Sequence, residues 1–423
     1  MASLLFRKLL VRSGVARFLP SVKRLTDGGG AWLRCYSDRV LAAPHAALAD
    51  AAGFLTPHPS EVINLASGCP AFDAIASGST KLPVHRRGFP PVGGLAELRS
   101  AVADKYRRDH GLAFHPLDEV LITHGIAGAF ATALNALINP GHAVVLFDPS
   151  SPLYSLALAG RRARIRWVRT WTDQGRLRFH VADLARALRG ARMMVLNTPA
   201  NPTGAAIAAE DLEQIAWWAE RRNVLIFSDE AYDRYWYRNK IATIAAFAKA
   251  AARTLTAGSV SASHALTSAR VGWMAGPRHL LRASVVSAAL ESPFVATLCQ
   301  QIALGALRQE PETFERVLSE FDSRRRYSVE RLRAMGFGIT LPSGAFFIWL
   351  PVGALKVSGR VFCERLMAQH HVALLPGDLF GPSGSGYVRL SYAGEDGRLQ
   401  EGLARLAQFV HDQAREPTHK QAA

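Results

Sequence analysis

The sequence predicts an α/β protein: a mostly parallel sheet sandwiched by helices, accompanied by a smaller α+β domain. Three observations lead there. Apolar strand-like runs alternate with helix-periodic segments from Leu95 to Ser261, as crossover connections between parallel strands require. A long helical region then runs from about Arg278 through Ala334. Beyond it, strand-like runs return in a separate group.

Taken in order, "YSDRVLAAPHAALADAAG" carries helix-spaced apolar positions and leads to a short strand, "INLASGCP", that breaks at Gly68 and Pro70. A glycine turn in "GFPPVGGLAELRS" opens a helix at about Leu95. The run "EVLITHG" feeds a helix through Leu137, and "HAVVLFDPSSP", "RIRWVRT" and "ARMMVLNTPANPTG" follow. A helix from Ala209, the strand "VLIFSDEAY" and the run "RTLTAGSVS" complete the alternation. After the long helical region, "GFGITLPSGAFFIWLPV", "VALLPG" and "GYVRLSYA" read as strands of the smaller domain. The expected division is a basic extension at 1–35, an N-terminal arm with part of the small domain at 36–88, a large domain at 89–310 and a small C-terminal domain at 311–423.

With 423 residues, 49% of them hydrophobic, the chain can bury a substantial core. Its net charge of +16 is spread over the whole length; only Arg161, Arg162, Arg164 and Arg166, and the triplet Arg324 to Arg326, cluster. No nucleic-acid module surrounds them, so affinity for small anions is expected and nucleic acid is not. Cys35, Cys69, Cys299 and Cys363 form no CxxC pair, which points away from zinc and disulfides and fits a reducing cytoplasm. No apolar stretch approaches the roughly 18 residues of a membrane span. The first residues carry Arg7, Lys8, Arg12, Arg17, Lys23 and Arg24 before Gly28–Gly30 and read as a basic extension, with an organellar presequence or surface helix as the alternative.

Ligands of such sheets bind beyond the carboxyl ends of the strands, and five strand ends carry polar chemistry. "NTPANPTG" sets Asn201 between prolines, which serves either a turn or a ligand-directed amide. Asp229 ends the apolar run "VLIF", with Tyr232 three residues on. A carboxylate there needs a cation, from the protein or from a ligand. "THGIAGAF" opens a helix whose free N–H groups at Ile126 and Ala127 could receive a phosphate. Ser259, Ser261 and Arg270 are spaced as phosphate ligands around a turn, and Arg389 lies among apolar neighbours, either in an ion pair or as a fork for a carboxylate.

Together "NTPANPTG", "SDEAYDRYWY", "SVSASHALTSARVGW", "PSGAFFIWL" and "GYVRLSYA", in this order, resemble the class I/II aminotransferases, the fold type I enzymes dependent on pyridoxal 5′-phosphate. The resemblance spans about Tyr36 to Phe409. It implies that Asn201 and Tyr232 bond the cofactor's phenolic oxygen, that Asp229 pairs with its ring nitrogen, and that Ser259, Ser261 and Arg270 hold its phosphate. It also implies that Arg389, with Gly68 and Asn201, receives an amino-acid substrate, and that the site forms in a homodimer.

Position 262 breaks the pattern. The family places there, eight residues before the phosphate arginine, the lysine that forms the internal aldimine; here it is Ala262. Alanine can neither form a Schiff base nor move a proton, so very little transaminase activity is expected. Phe89 stands for a tyrosine that reaches the neighbouring subunit's phosphate, and Ser151 for an aromatic ring that stacks on the cofactor. Asp229 and Arg389 remain, which fits an enzyme whose lysine alone was replaced, trapping an external aldimine; a protein naturally without it is the alternative. The parent chemistry expected is amino transfer at Cα. Its rivals are β/γ-elimination or replacement on a bulky, nucleotide-bearing substrate such as S-adenosylmethionine, and a non-catalytic cofactor-binding protein.

Overall fold

Strand after strand of the large sheet runs parallel and stops at one edge. The computed structural model describes residues 61–71, 88–309 and 311–415. The basic extension and the helix read at its end, up to residue 53, lie outside the described residues. By contacts the chain divides into two units: Cys69–Ser319 with Ser343–Ala345, and a second that runs up to Gly68 and resumes with Glu320–Pro342 and everything from Phe346 onward.

The elements, in chain order, are β1 (Ile63–Asn64), α1 (Ala96–His110), β2 (Val120–Thr123), α2 (Gly125–Leu137), β3 (Ala143–Asp148), α3 (Pro152–Ala159), β4 (Arg164–Asp173) and β5 (Arg176–Phe179). There follow α4 (Val181–Ala187), β6 (Ala191–Asn197), α5 (Ala209–Arg222), β7 (Leu225–Asp229), α6 (Ala248–Ala251), β8 (Thr254–Ser259), α7 (Val260–Ser263) and β9 (Gly272–Ala275). The chain continues with α8 (Arg278–Glu291), α9 (Thr297–Leu307), α10 (Pro311–Ala334), β10 (Phe347–Pro351), α11 (Gly359–His370), β11 (Val372–Ala373), β12 (Leu375–Pro376), β13 (Tyr387–Ser391) and α12 (Asp396–Arg415).

The first unit holds an eight-stranded sheet in the order β2-β9-β8-β7-β6-β3-β4-β5, parallel from β4 through β8 and antiparallel at β9 and β5. Alternation along β3 sends Val144 and Leu146 into one apolar cluster and Val145 and Phe147 into another, so both faces are covered. Each such side chain contributes roughly 1.5–3 kcal/mol on leaving water. This is the α/β sheet the alternation predicts. Register sets Asn197 beside Asp229, Asp229 beside Ala257, and both Ser259 and Thr123 beside Gly272. Strands β2, β3, β6, β7 and β8 therefore end at one edge.

Two sequence expectations change here. The helical region from Arg278 is three helices, because Pro293 interrupts the periodic pattern and cannot donate the bond that would continue α8. The run from Gly336 becomes a strand only at β10. Upstream, Gly344 presses against the first unit's loops: a Cβ there would lie 2.7 Å from the Tyr235 carbonyl and 2.6 Å from Pro199. Glycine is required for that approach, and Ser343–Ala345 accordingly pack with the sheet unit.

The second unit carries a three-stranded antiparallel sheet, β10-β13-β12, and the short parallel pair β1-β11. Arg389 lies on β13, paired across to Trp349.

Candidate active site

Three strand ends and two turns of the first unit converge on one corner, where a helix start and an arginine meet. Helix α2 begins at Gly125 without a side-chain cap and without an acidic residue in its first turn, so the N–H groups of Ile126 and Ala127 face outward with the positive end of the helix dipole. Gly125 has φ +66° and an added Cβ would lie 3.0 Å from Arg270 Nη2, which places that guanidinium against the helix start. Arg270 itself sits in the left-handed region and donates to the Thr267 carbonyl (3.1 Å) and weakly to Ser261 Oγ (3.4 Å). Ser259, at the end of β8, accepts from the Ser261 N–H at 3.1 Å. Sequence-predicted phosphate ligands from segments more than a hundred residues apart thus share one corner.

On the strand beside β8, Asp229 ends β7 and is buried. Its Oδ1 accepts from the Ala231 N–H (2.9 Å) and its Oδ2 from the Tyr154 hydroxyl. Among the described residues no cation forms an ion pair with it, and burial pushes its carboxyl up to about 6. It is neither a helix cap nor half of a structural salt bridge. The Tyr154 hydroxyl, buried beside this carboxylate, is pushed well above its usual range. Tyr154 was not singled out from sequence; its signal was available, since it falls one turn beyond Ser151 on a helix opened by Pro152, after a strand that ends at the same sheet edge. Asn197 was missed too. Its Oδ1 accepts from the Asn201 N–H (2.7 Å) while its Nδ2 donates to the Asp229 carbonyl (3.1 Å), tying the asparagine–proline loop to the acid. Tyr232, part-buried, lies close enough to Tyr154 for the two to interact electrostatically.

Ala262 lies on the short helix α7 between Ser259 and Arg270, 7% exposed, and its carbonyl accepts from the Tyr235 hydroxyl at 2.8 Å. Ser151 precedes α3, part-buried, and presents no ring. Phe89 is 84% exposed and stacks on Phe294 with ring centroids 4.9 Å apart.

In the second unit Arg389 is buried, donates to the Ala66 carbonyl at 2.6 Å and lies over the Phe347 ring at 4.4 Å. Gly68 faces the same ring: an added Cβ would lie 3.5 Å from Phe347. Two of the three substrate-binding residues expected from sequence, Arg389 and Gly68, are therefore neighbours through one aromatic side chain, while Asn201 belongs to the first unit.

Glu230, next to Asp229, is a separate case. Its Oε1 accepts from Ser228 Oγ (2.9 Å) and Thr243 Oγ1 (2.5 Å), its Oε2 has no hydrogen-bond partner among the described residues, and burial pushes it from 4.5 up to about 7. The folded state holds a proton that the unfolded chain releases, so this residue lowers stability as pH rises from about 4.5 to 7. Glu230→Gln is expected to raise unfolding stability at pH 8 by up to about 3 kcal/mol, the span between those two values, and to change little at pH 4. Urea melts at the two pH values measure it; equal effects at both would refute the assignment.

These residues fit pyridoxal 5′-phosphate. A buried acid that has neutral partners suits a protonated ring nitrogen, and the open cradle at Gly125 and Arg270 suits a phosphate dianion. Ala262 departs from that set in offering no amine.

Comparison with known proteins identifies the family. An aspartate aminotransferase of Pyrococcus abyssi is 29% identical over 360 residues, 83% of this chain and 92% of that protein. An aromatic-amino-acid aminotransferase of Thermococcus litoralis is 30% identical over 328 residues, 77% of this chain and 84% of that protein. The crystal structure of an aromatic aminotransferase from Pyrococcus horikoshii superposes with a TM-score of 0.77 at 29% identity, covering 84% of this chain and 97% of that one. The model of the family described as aminotransferase class I and II matches residues 60–406, and with the cradle, the buried acid and the sheet it places the chain in that pyridoxal phosphate-dependent family.

Proposed function

We propose that this chain binds pyridoxal 5′-phosphate without a covalent link and that its architecture is that of an aminotransferase acting at the Cα of an amino acid. The observation that carries the reading is Asp229: a buried carboxylate with only neutral partners, at the same sheet edge as the phosphate cradle. When bound, the cofactor supplies an electron-accepting ring. Asp229 keeps the ring nitrogen protonated, since an adjacent anion favours the charged form. Tyr154 and the Ala231 N–H hold the two carboxylate oxygens in place, and each keeps a lone pair for the ligand. Asn201 and Tyr232 address the ring's oxygen side, and Arg270 with Ser259, Ser261 and the α2 N–H groups neutralises the phosphate. Arg389, its guanidinium backed by Phe347, receives the α-carboxylate and so fixes which Cα bond is cleaved.

With Ala262 no group at that position moves the Cα proton, so the chain has the properties of a lysine-to-alanine form that holds an amino acid with the cofactor and does not turn it over. Ser151, small where a stacking ring is expected, would leave room for a larger substrate, which supports the second reading: elimination or replacement on a bulky substrate, nucleotide-bearing ones such as S-adenosylmethionine included. Restoring an amine at 262 and presenting amino acids, S-adenosylmethionine among them, with 2-oxo acids separates the two. Keto-acid formation supports transfer, thioether release supports elimination, and neither product refutes both.

A homodimer belongs to this proposal. Phe89 and Phe294, with Val286 and Leu290 one turn apart on α8, expose an apolar surface on the first unit, with Leu290 81% exposed. A second copy of the chain would cover it. Among the described residues Cys299 and Cys363 are free thiols, which supports a reducing, cytoplasmic setting, and no described helix is long and apolar enough to cross a membrane.

A further inference from the structure

Behind the turn that carries Ala262, the first unit contains a second cavity of about 420 Å³, between α1, the loop after β7, and the α9–α10 region. Its apolar wall includes Trp236, Ile241, Phe314 and Leu318; its cations are Lys105, Arg108, Arg234 and Lys240, and its acids Asp109, Asp233 and Glu315. Lys105 is spoken for: it is buried and bonds both Asp109 and Asp233, and Arg108 also bonds Asp109. Arg234 is different. Its guanidinium stacks 3.8 Å from the Phe314 ring and donates to His264 Nε2 at 2.8 Å, and among the described residues it forms no ion pair with a carboxylate. Asp233 and Asp109 act on this mostly buried guanidinium only from beyond ion-pair distance, so with a ring and an imidazole as its direct partners it keeps donors to spare, and Lys240 is exposed at the same cavity.

The contacts behind Arg234 lead to the cofactor cradle. Arginine can only donate, so His264 Nε2 accepts, and the ring carries its proton on Nδ1. That proton points at Ser263 Oγ (2.8 Å), whose hydroxyl donates to the Ser259 carbonyl (2.7 Å). Next to Arg234, Tyr235 packs edge-on against Phe314 and bonds the Ala262 carbonyl. The cavity wall and the phosphate-binding turn are thus two sides of one hydrogen-bonded segment.

We propose that this cavity is a second binding site, for a small monocarboxylate with an apolar body, held by Arg234 and Lys240, and that its occupancy is transmitted through His264 and Ser263 to the turn at Ser259. A carboxylate takes the guanidinium edge, weakens the bond to His264, and relaxes the chain that holds the Ser259 carbonyl. The binding half stands on the cavity alone; the transmission half rests on the cofactor reading.

Calorimetry of the full chain without cofactor tests the first half, with phenylacetate as probe and acetate and inorganic phosphate as comparators. Phenylacetate is expected to bind one saturable site at least about tenfold more tightly than either comparator, because only it fills the apolar wall. Arg234→Met, which keeps the stem over Phe314, weakens it about tenfold or more; Lys240→Met, at an exposed position, weakens it severalfold and serves should the first variant not fold. Arg270→Met leaves phenylacetate binding unchanged. Absence of saturable binding, or loss in Arg270→Met with none in the Arg234 and Lys240 variants, overturns the site. For transmission, phenylacetate shifts the dissociation constant of pyridoxal 5′-phosphate about fivefold or more, and His264→Phe retains phenylacetate binding but abolishes that shift. Unchanged cofactor affinity overturns the coupling. Failure of pyridoxal 5′-phosphate to bind at all would refute the cofactor reading while leaving the phenylacetate titration to decide the site.

Discussion

Ala262→Lys is expected to make the protein absorb in the visible on mixing with pyridoxal 5′-phosphate, through a covalent link to the new amine, and to raise turnover by about 10²–10⁴-fold, the usual weight of a positioned proton-transfer group. The backbone at this position is already held by contacts that do not involve its side chain: the Tyr235 hydroxyl bonds the Ala262 carbonyl and Ser263 bonds the Ser259 carbonyl. The lysine therefore enters a preformed turn with the phosphate cradle on either side of it in sequence, at Ser259 and Arg270. Borohydride reduction followed by peptide mass analysis reads the link independently of turnover. Tight cofactor binding with no reducible link to residue 262 would show that the turn does not direct a side chain to the ring, and the aminotransferase reading of this position would fall. Among the described residues no other lysine is offered for the role: Lys240 and Lys249 are exposed, Lys356 belongs to the second unit, and Lys105 is committed to Asp109 and Asp233.

Much of this site was legible because its chemistry is concentrated where strands end. Asp229 after "VLIF" and Asn201 between prolines are visible in sequence since a buried strand must stop before polar residues begin, and register then brings β6, β7 and β8 side by side. What sequence did not reveal depends on which strand neighbours which. Tyr154 meets Asp229 only because α3 follows β3, two strands from β7, and folds its first turn back over the sheet edge. Asn197 looked like the last residue of a strand, and its role emerges only from bonds to both Asn201 and Asp229. The strand expected upstream of Phe347 failed for a similar reason. Its residues at 343–345 are drawn to the first unit by a contact that only Gly344 permits, a tertiary demand that overrides local β-propensity.

Asp229→Asn is expected to move stability and binding in opposite directions. In the ligand-free protein the carboxyl is pushed from 3.8 up to about 6 by burial, so between those values the folded state binds a proton the unfolded chain has lost. Stability falls as pH rises through that window, and at pH 8 the full cost, up to about 3 kcal/mol, is present. Asparagine removes that charge while its oxygen can still accept from Tyr154, so the ligand-free variant should melt no lower than the parent at pH 8, less whatever the amide's unpaired donor costs. Cofactor binding should weaken by about 30-fold or more, because a protonated ring nitrogen loses its buried counter-charge, a change worth about 2–5 kcal/mol. Glu230→Gln supplies the contrast: a neighbouring buried acid of similar cost whose removal should stabilise the protein and leave cofactor affinity within about threefold, since its bonded oxygen faces Ser228 and Thr243. Thermal melts and cofactor titrations on both variants decide it. If Asp229→Asn binds pyridoxal 5′-phosphate as tightly as the parent, Asp229 is a structural acid bonded to Tyr154 and nothing more, and the reading of this sheet edge as a cofactor site loses its main support.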